Sequence, residues 1–251
     1  MRMVTFARRC AKEILRDPVN CVFGLGFPLV LLLLLSAIQA NVPVSLFGIE
    51  SLAPGIAVFA LSFLPLFAAT LVAKDRESAL LQRLYASPMK PADFILGYLL
   101  PIIPVALAQS AVCFGAALVL GLPATVQILA ALVAMLPMAV FQIALGLLLG
   151  SLLNVKQVGG ICGGLLTNLS GWVSGVWFDL ALVGGVFQKI AGLLPYVHAV
   201  ELERSILAGE FTADTAIHLL IVTVYAAVTT VLAVFAFLGQ MKKQYAQVNA
   251  S

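Results

Sequence analysis

The chain has 251 residues, 62% of them hydrophobic and 10% charged, with a mean hydropathy of +1.10 and a formal net charge of +3. A soluble domain is nearer about 45–50% apolar and about 25% charged, so an ordinary soluble domain is excluded and an integral membrane protein is implied. The four cysteines, Cys10, Cys21, Cys113 and Cys162, form no C-x-x-C pair, which suggests neither a disulfide framework nor a zinc site and leaves them as small apolar packing residues.

Residues 1–17 read as an amphipathic helix. Met3, Phe6, Ala7, Cys10 and Ile14 recur at helical spacing, with Arg2, Arg8, Arg9, Lys12 and Glu13 on the other faces. Such a helix lies in the inner membrane interface with its cations near anionic headgroups. Asp17-Pro18 ends it, because the residue before a proline is pushed out of the α region.

Roughly 20 apolar residues cross a bilayer as a helix. Residues 21–40 and 51–73 meet that length, and the first run is too long for a cleavable leader. Residues 94–155 carry no charge and are too many for one helix; Gly121-Leu122-Pro123-Ala124-Thr125 divides them into 94–120 and 126–153. Residues 157–178 and 216–240 bring the count to six. Residues 179–215 are apolar only in pieces, interrupted by Gly184-Gly185, Lys189, Gly192 and Pro195, and suit an extracellular re-entrant hairpin shielded by protein. The reading is a single all-α membrane domain over residues 1–251.

Charge placement fixes the orientation. With six spans, all but Lys189 and Arg204 of the 14 Lys and Arg fall on one face, which is then cytoplasmic and holds both termini. The other face carries Glu50, Asp179, Glu201, Glu203, Glu210 and Asp214. A seventh span within 179–195 would move Lys242-Lys243 outside and spoil this asymmetry.

A charged island, residues 74–92, separates the second and third spans. From Glu77 to Tyr85 the sequence favours helix, with Leu80 and Leu84 on one face, Leu81 and Tyr85 beside them, and Arg76, Glu77 and Arg83 left for solvent or a partner. Ser87-Pro88 ends it, and Lys90-Pro91 with Asp93 opens the third span. Lys74-Asp75-Arg76-Glu77, Leu80-Leu81, Arg83-Leu84, Ala86-Ser87-Pro88 and Lys90 resemble the segment after the second span of ABC-2-type transporter permeases. Asn154-Val-Lys-Gln157 with Leu169-Ser170-Gly171 resembles that family's fifth span, and Leu194-Pro195-Tyr196-Val197-His198-Ala199 with Arg204 and Ala208-Gly209 the stretch before its last. Phe178-Asp179 departs from the family's usual Phe-Pro.

The resemblance implies a permease subunit of an ATP-binding cassette exporter, in the cell inner membrane, paired with a second permease copy and cytosolic ATP-binding subunits. It makes the island a coupling helix, with Arg76, Glu77, Leu80, Leu81, Arg83, Leu84 and Tyr85 as its ATPase contact. The chain has no G-x-x-x-x-G-K-[ST], so it has no ATPase site of its own; ATP and Mg would be held by the partner. Two readings rival the exporter, a channel or scaffold without ATPase and an ion-coupled carrier; the spans are nearly free of ionisable residues, which disfavours the carrier. Membrane lipids are the remaining partners; nothing points to nucleic acid.

Gln109, Gln142, Thr167 and Asn168 either line a path or bond between helices, and Phe59, Phe63, Phe67, Phe141, Trp172 and Trp177 either meet a lipidic, drug-like or glycan substrate or pack. On the outer side Glu201, Glu203 and Arg204, following Pro195, form either an exit gate or a solvated helix face. Gly159-Gly160 and Gly163-Gly164, four apart, mark a close helix contact within the chain or between two copies.

Overall fold

The computed structural model describes residues 2–42, 47–78, 80 and 91–248. Helix accounts for 87% of it, with no strand among the described residues, so the all-α reading holds. The order is α1 (Arg2–Leu15), α2 (Pro18–Ala40), α3 (Ile49–Ala60), a 3-10 turn (Leu61–Phe63), α4 (Leu64–Glu77), α5 (Pro91–Val119) and α6 (Gln127–Leu152). Then come α7 (Val155–Val158), a π-helical stretch (Gly159–Leu166), α8 (Thr167–Val173), α9 (Leu180–Val183), α10 (Gly185–Leu193), α11 (Pro195–Ala208) and α12 (Ala213–Val248).

Among the described residues five helical runs are long and apolar enough to cross a membrane: Pro18–Ala40, Ile49–Glu77, Asp93–Val119, Gln127–Leu152 and Ala213–Gln240. They match five of the six expected spans within a few residues. The expected fifth, 157–178, is helical but pieced together from α7, the π stretch and α8, none of which approaches the roughly 20 residues that a crossing needs. Four glycines within eight residues relax the backbone enough for the wider π turn.

Burial sets the layout. The second run, Ile49–Glu77, is 89% buried and forms the centre, whereas Pro18–Ala40 at 17% and Ala213–Gln240 at 22% present most of their apolar surface outward. The 3-10 turn and Pro65 divide the central run into α3 and α4. α6 packs against both α4 and α12, and α11 against α3, α6 and α12.

The seam between α4 and α6 is closed by glycine. A Cβ at Gly146 would lie 2.6 Å from the Pro65 carbonyl oxygen, and one at Gly150 would lie 2.7 Å from Ala69 backbone atoms. This pair, four apart, is the close small-residue contact within the chain. The glycines singled out from the sequence differ from it: Gly163 meets only the Leu66 side chain, and Gly159, Gly160 and Gly164 face open space.

The N-terminal helix also departs from expectation. Its apolar stripe, Phe6, Cys10 and Ile14, is buried, but against protein rather than lipid. Phe6 stands edge-on to Phe94 and Tyr98 of α5, at 5.9 and 4.9 Å between ring centres. Gly97 makes room for it; a side chain there would run into the Phe6 ring. Burial pushes the Cys10 thiol up to about 12, so it packs as an unreactive apolar group.

Candidate functional site

The charged tetrad Lys74–Glu77 is the last turn of α4, one turn longer than the expected span; Leu80 is again helical, and the rest of the helix expected over 77–85 lies outside the described residues. The main-chain N–H groups at that end are already bonded back into α4. Lys74 and Glu77 are exposed, Arg76 is half-buried, and Asp75 is turned inward. Asp75 is 1% exposed and accepts a bidentate pair from Arg9 of α1, at 2.6 and 2.5 Å, and the Tyr98 hydroxyl of α5 at 2.8 Å. Arg9 also pairs with Glu13 at 2.7 Å and lies 6.0 Å above the Phe6 ring. Donating to Asp75 raises the pKa of the Arg9 guanidinium beyond its already high value, so its charge is permanent.

Arg76 points the other way. Its guanidinium donates to the main-chain oxygens of Ser151 and Leu153, where α6 ends and its last carbonyls lack helical partners. Glu77 accepts from the Val155 N–H at 2.9 Å, satisfying an orphan donor at the start of α7. Asn154 caps that start in a reciprocal box with Gln157, at 2.9 and 3.1 Å. The Asn154-Val-Lys-Gln157 pattern therefore has a structural cause.

Thus one helix end holds α1, α5, α6 and α7 together. Of the expected coupling residues, Arg76 and Glu77 each bond within the chain, and the Glu77 side chain stays exposed. Leu80 is half-buried. Leu81, Arg83, Leu84 and Tyr85 lie outside the described residues.

The expected path residues divide in two. Phe59, Phe63 and Phe67 are buried, and Phe59 packs 6.0 Å from Phe63 and 5.2 Å from Trp177, ring centre to ring centre. Gln109 and Gln142 are each 1% exposed, and Gln109 donates to the Gly24 carbonyl at 2.9 Å, tying α5 to α2. These five are buried inside the protomer. Asn168 and Trp172 are exposed on one side of α8, one turn apart, and Asn168 donates back to Gly164 at 2.8 Å.

At the opposite end, Pro195 begins α11 and Gly209, with φ +75°, ends it. Arg204 pairs with Glu201 at 2.8 Å and donates to the carbonyls of Ser51 and Gly175, both at 3.3 Å. The structure thus brings Glu201 and Arg204 together and uses them to fasten α11 to α3 and to the chain beyond α8. They border a cleft of about 510 Å³ whose walls include Trp177, Phe178, His198 and His218. The two histidines meet Nδ1 to Nδ1 at 2.9 Å. Asp179, at the departure from Phe-Pro, caps α9 by accepting from the Ala181 N–H at 2.9 Å, so another turn former replaces the proline.

Glu203, expected beside Glu201 and Arg204 on the outer side, is turned inward instead. It is 1% exposed, and neither carboxyl oxygen has a partner among the described residues. Burial raises its pKa well above the ordinary glutamate value, which favours the protonated form. The folded chain then binds this proton more tightly than the unfolded chain. Stability is fully present below the ordinary glutamate pKa and declines as the pH rises above it, by up to about 1.4 kcal/mol per pH unit until the folded-state pKa is passed. Glu203→Gln keeps the shape without the charge and should flatten that decline in melting temperatures taken across neutral and acidic pH. An unchanged slope would place its origin elsewhere.

A search of curated proteins finds no match to this chain. A family model described as ABC-2 type transporter matches residues 2–208. That stretch takes in α1, the α4 hub, the π-containing run and α11, the elements on which the resemblance rested. The chain belongs to the ABC-2 type transporter family and is a multi-pass membrane permease component.

Proposed function

We propose that this chain is the permease subunit of an exporter driven by separate cytosolic ATP-binding subunits, and that it works as two copies. Its cargo is a lipidic, drug-like or glycan molecule. The α4 hub carries this reading: Asp75, Arg76 and Glu77 join the end of the central span to α1, α5, α6 and α7. A push on the adjoining segment 81–90 would be shared among several spans at once instead of bending one. ATP and Mg bind to the partner.

The basic end is cytoplasmic, with both termini there, in the cell inner membrane. The run from Val155 to Val173 is the fifth of six spans, and residues 179–215 form a re-entrant layer on the outer side. Gly160, Gly164, Asn168 and Trp172 give that fifth span an open small and polar face where the second copy meets it and cargo passes. The Glu201–Arg204 pair closes the exit.

The test uses Arg83. Arg83→Glu in the assembled transporter should lower cargo-stimulated ATP hydrolysis by roughly ten-fold or more, the effect of losing one well-placed charge contact, while the permease itself folds normally. Unchanged stimulation and assembly would remove the coupling role from this segment.

A further inference from the structure

Burial of the Phe6, Cys10 and Ile14 stripe leaves α1 with a second, outward side of mixed character. Arg8, Lys12 and Arg16 are exposed at four-residue spacing, and none has an ion-pair partner among the described residues. With Thr5, Arg9 and Glu13 they line a hollow on the helix surface. Beside this cationic row, at adjoining helical positions, stand Val4 at 61% and Leu15 at 76% exposure. Leu15 is followed along the chain by Val19, Val22 and Phe23, equally bare on the outward side of α2. Water would oppose that apolar ridge, and an acidic protein surface would use only the cations. A bilayer interface satisfies both, with phosphates at the cations and acyl chains along the ridge.

We propose that this side of α1 is a binding site for the headgroup of an anionic phospholipid. Arg8, Lys12 and Arg16 hold the phosphate, and Val4 and Leu15 lie at the top of the acyl chains. Arg9 and Glu13 next to them belong to the Asp75 cluster, so the occupied site adjoins the α4 hub. The site depends on the membrane placement of the chain and not on an ATPase partner.

The experiment uses the full chain in nanodiscs of phosphatidylcholine and phosphatidylglycerol in equal parts, without ATP. It measures the preference for spin-labelled phosphatidylglycerol over spin-labelled phosphatidylcholine. The preference should fall by roughly five-fold for each cation removed in Arg8→Gln, Lys12→Gln and Arg16→Gln, and less steeply at high salt. Arg8→Lys with Arg16→Lys should keep it, and Val4→Ser with Leu15→Ser should weaken it with the charges intact. Each substitution is at an exposed position, so the single variants remain informative even if the triple one folds poorly. An undiminished preference in the single and triple variants overturns the proposal. Competition by soluble glycerol 3-phosphate as effective as that of the lipid would make this a free-phosphate site and also overturn it. So would a triple variant that keeps its lipid preference but no longer assembles with an ATPase, which would mark a protein-docking face. Because the readout needs no ATP, its failure is distinct from failure of the exporter reading.

Discussion

Replacing Arg9 with alanine is expected to cost about 3–4 kcal/mol of stability, the larger share of what the α1 clamp contributes. The substitution strands Asp75, 1% exposed, with only the Tyr98 hydroxyl as partner. Asp75→Asn should cost less, about 1–2 kcal/mol, because the Arg9 side chain is 38% exposed, reaches water and keeps Glu13. Unfolding of both variants in detergent checks the asymmetry. Equal losses would mean that Phe6 packing, not the ion pair, fastens α1.

Gly146→Ala and Gly150→Ala carry the second large effect. An added methyl in a helix interior favours folding by up to about 1 kcal/mol, so the sign depends on what the methyl meets. At both positions it meets main-chain atoms of α4 at 2.6–2.7 Å, and those cannot rotate away as a side-chain tip can. Each substitution should therefore destabilise by about 1–3 kcal/mol, and the two together by less than their sum, because the first already pushes the helices apart. The comparison is Gly159→Ala, Gly160→Ala and Gly164→Ala, where the added methyl meets open space. These should leave the protomer as stable as before and weaken only its pairing with a second copy, read by cross-linking in the membrane. Stable Gly146 and Gly150 variants would contradict the close α4–α6 seam.

These residues show where the sequence was informative. The apolar runs and their breaks located five spans, since length and hydropathy are local properties. The tetrad was legible as a charged island, but its partners were not: Asp75 binds a residue 66 positions away, and Arg76 and Glu77 bind residues 75 to 78 positions away. An amphipathic pattern shows that a helix has an apolar stripe without showing what covers it, and so α1 was assigned to lipid when its stripe packs on α5. Gly146 and Gly150 were invisible because the surrounding window is uniformly apolar, whereas the denser glycine group at 159–164 drew attention and, Gly163 apart, proved to face open space. Glu203 was counted among the outer acids because its burial depends on three elements distant in sequence.

The central claim is that energy enters this permease from a partner ATPase through the end of α4. Its most direct test is isolation of the tagged chain from its native membrane, with measurement of cargo movement and ATP hydrolysis by the same particle in vesicles. The account predicts a P-loop ATPase in equal amount with the permease, and transport that stops when ATP is depleted or when the partner's P-loop lysine is replaced. A permease that never associates with such an ATPase, and that moves its cargo undiminished without ATP, would contradict it.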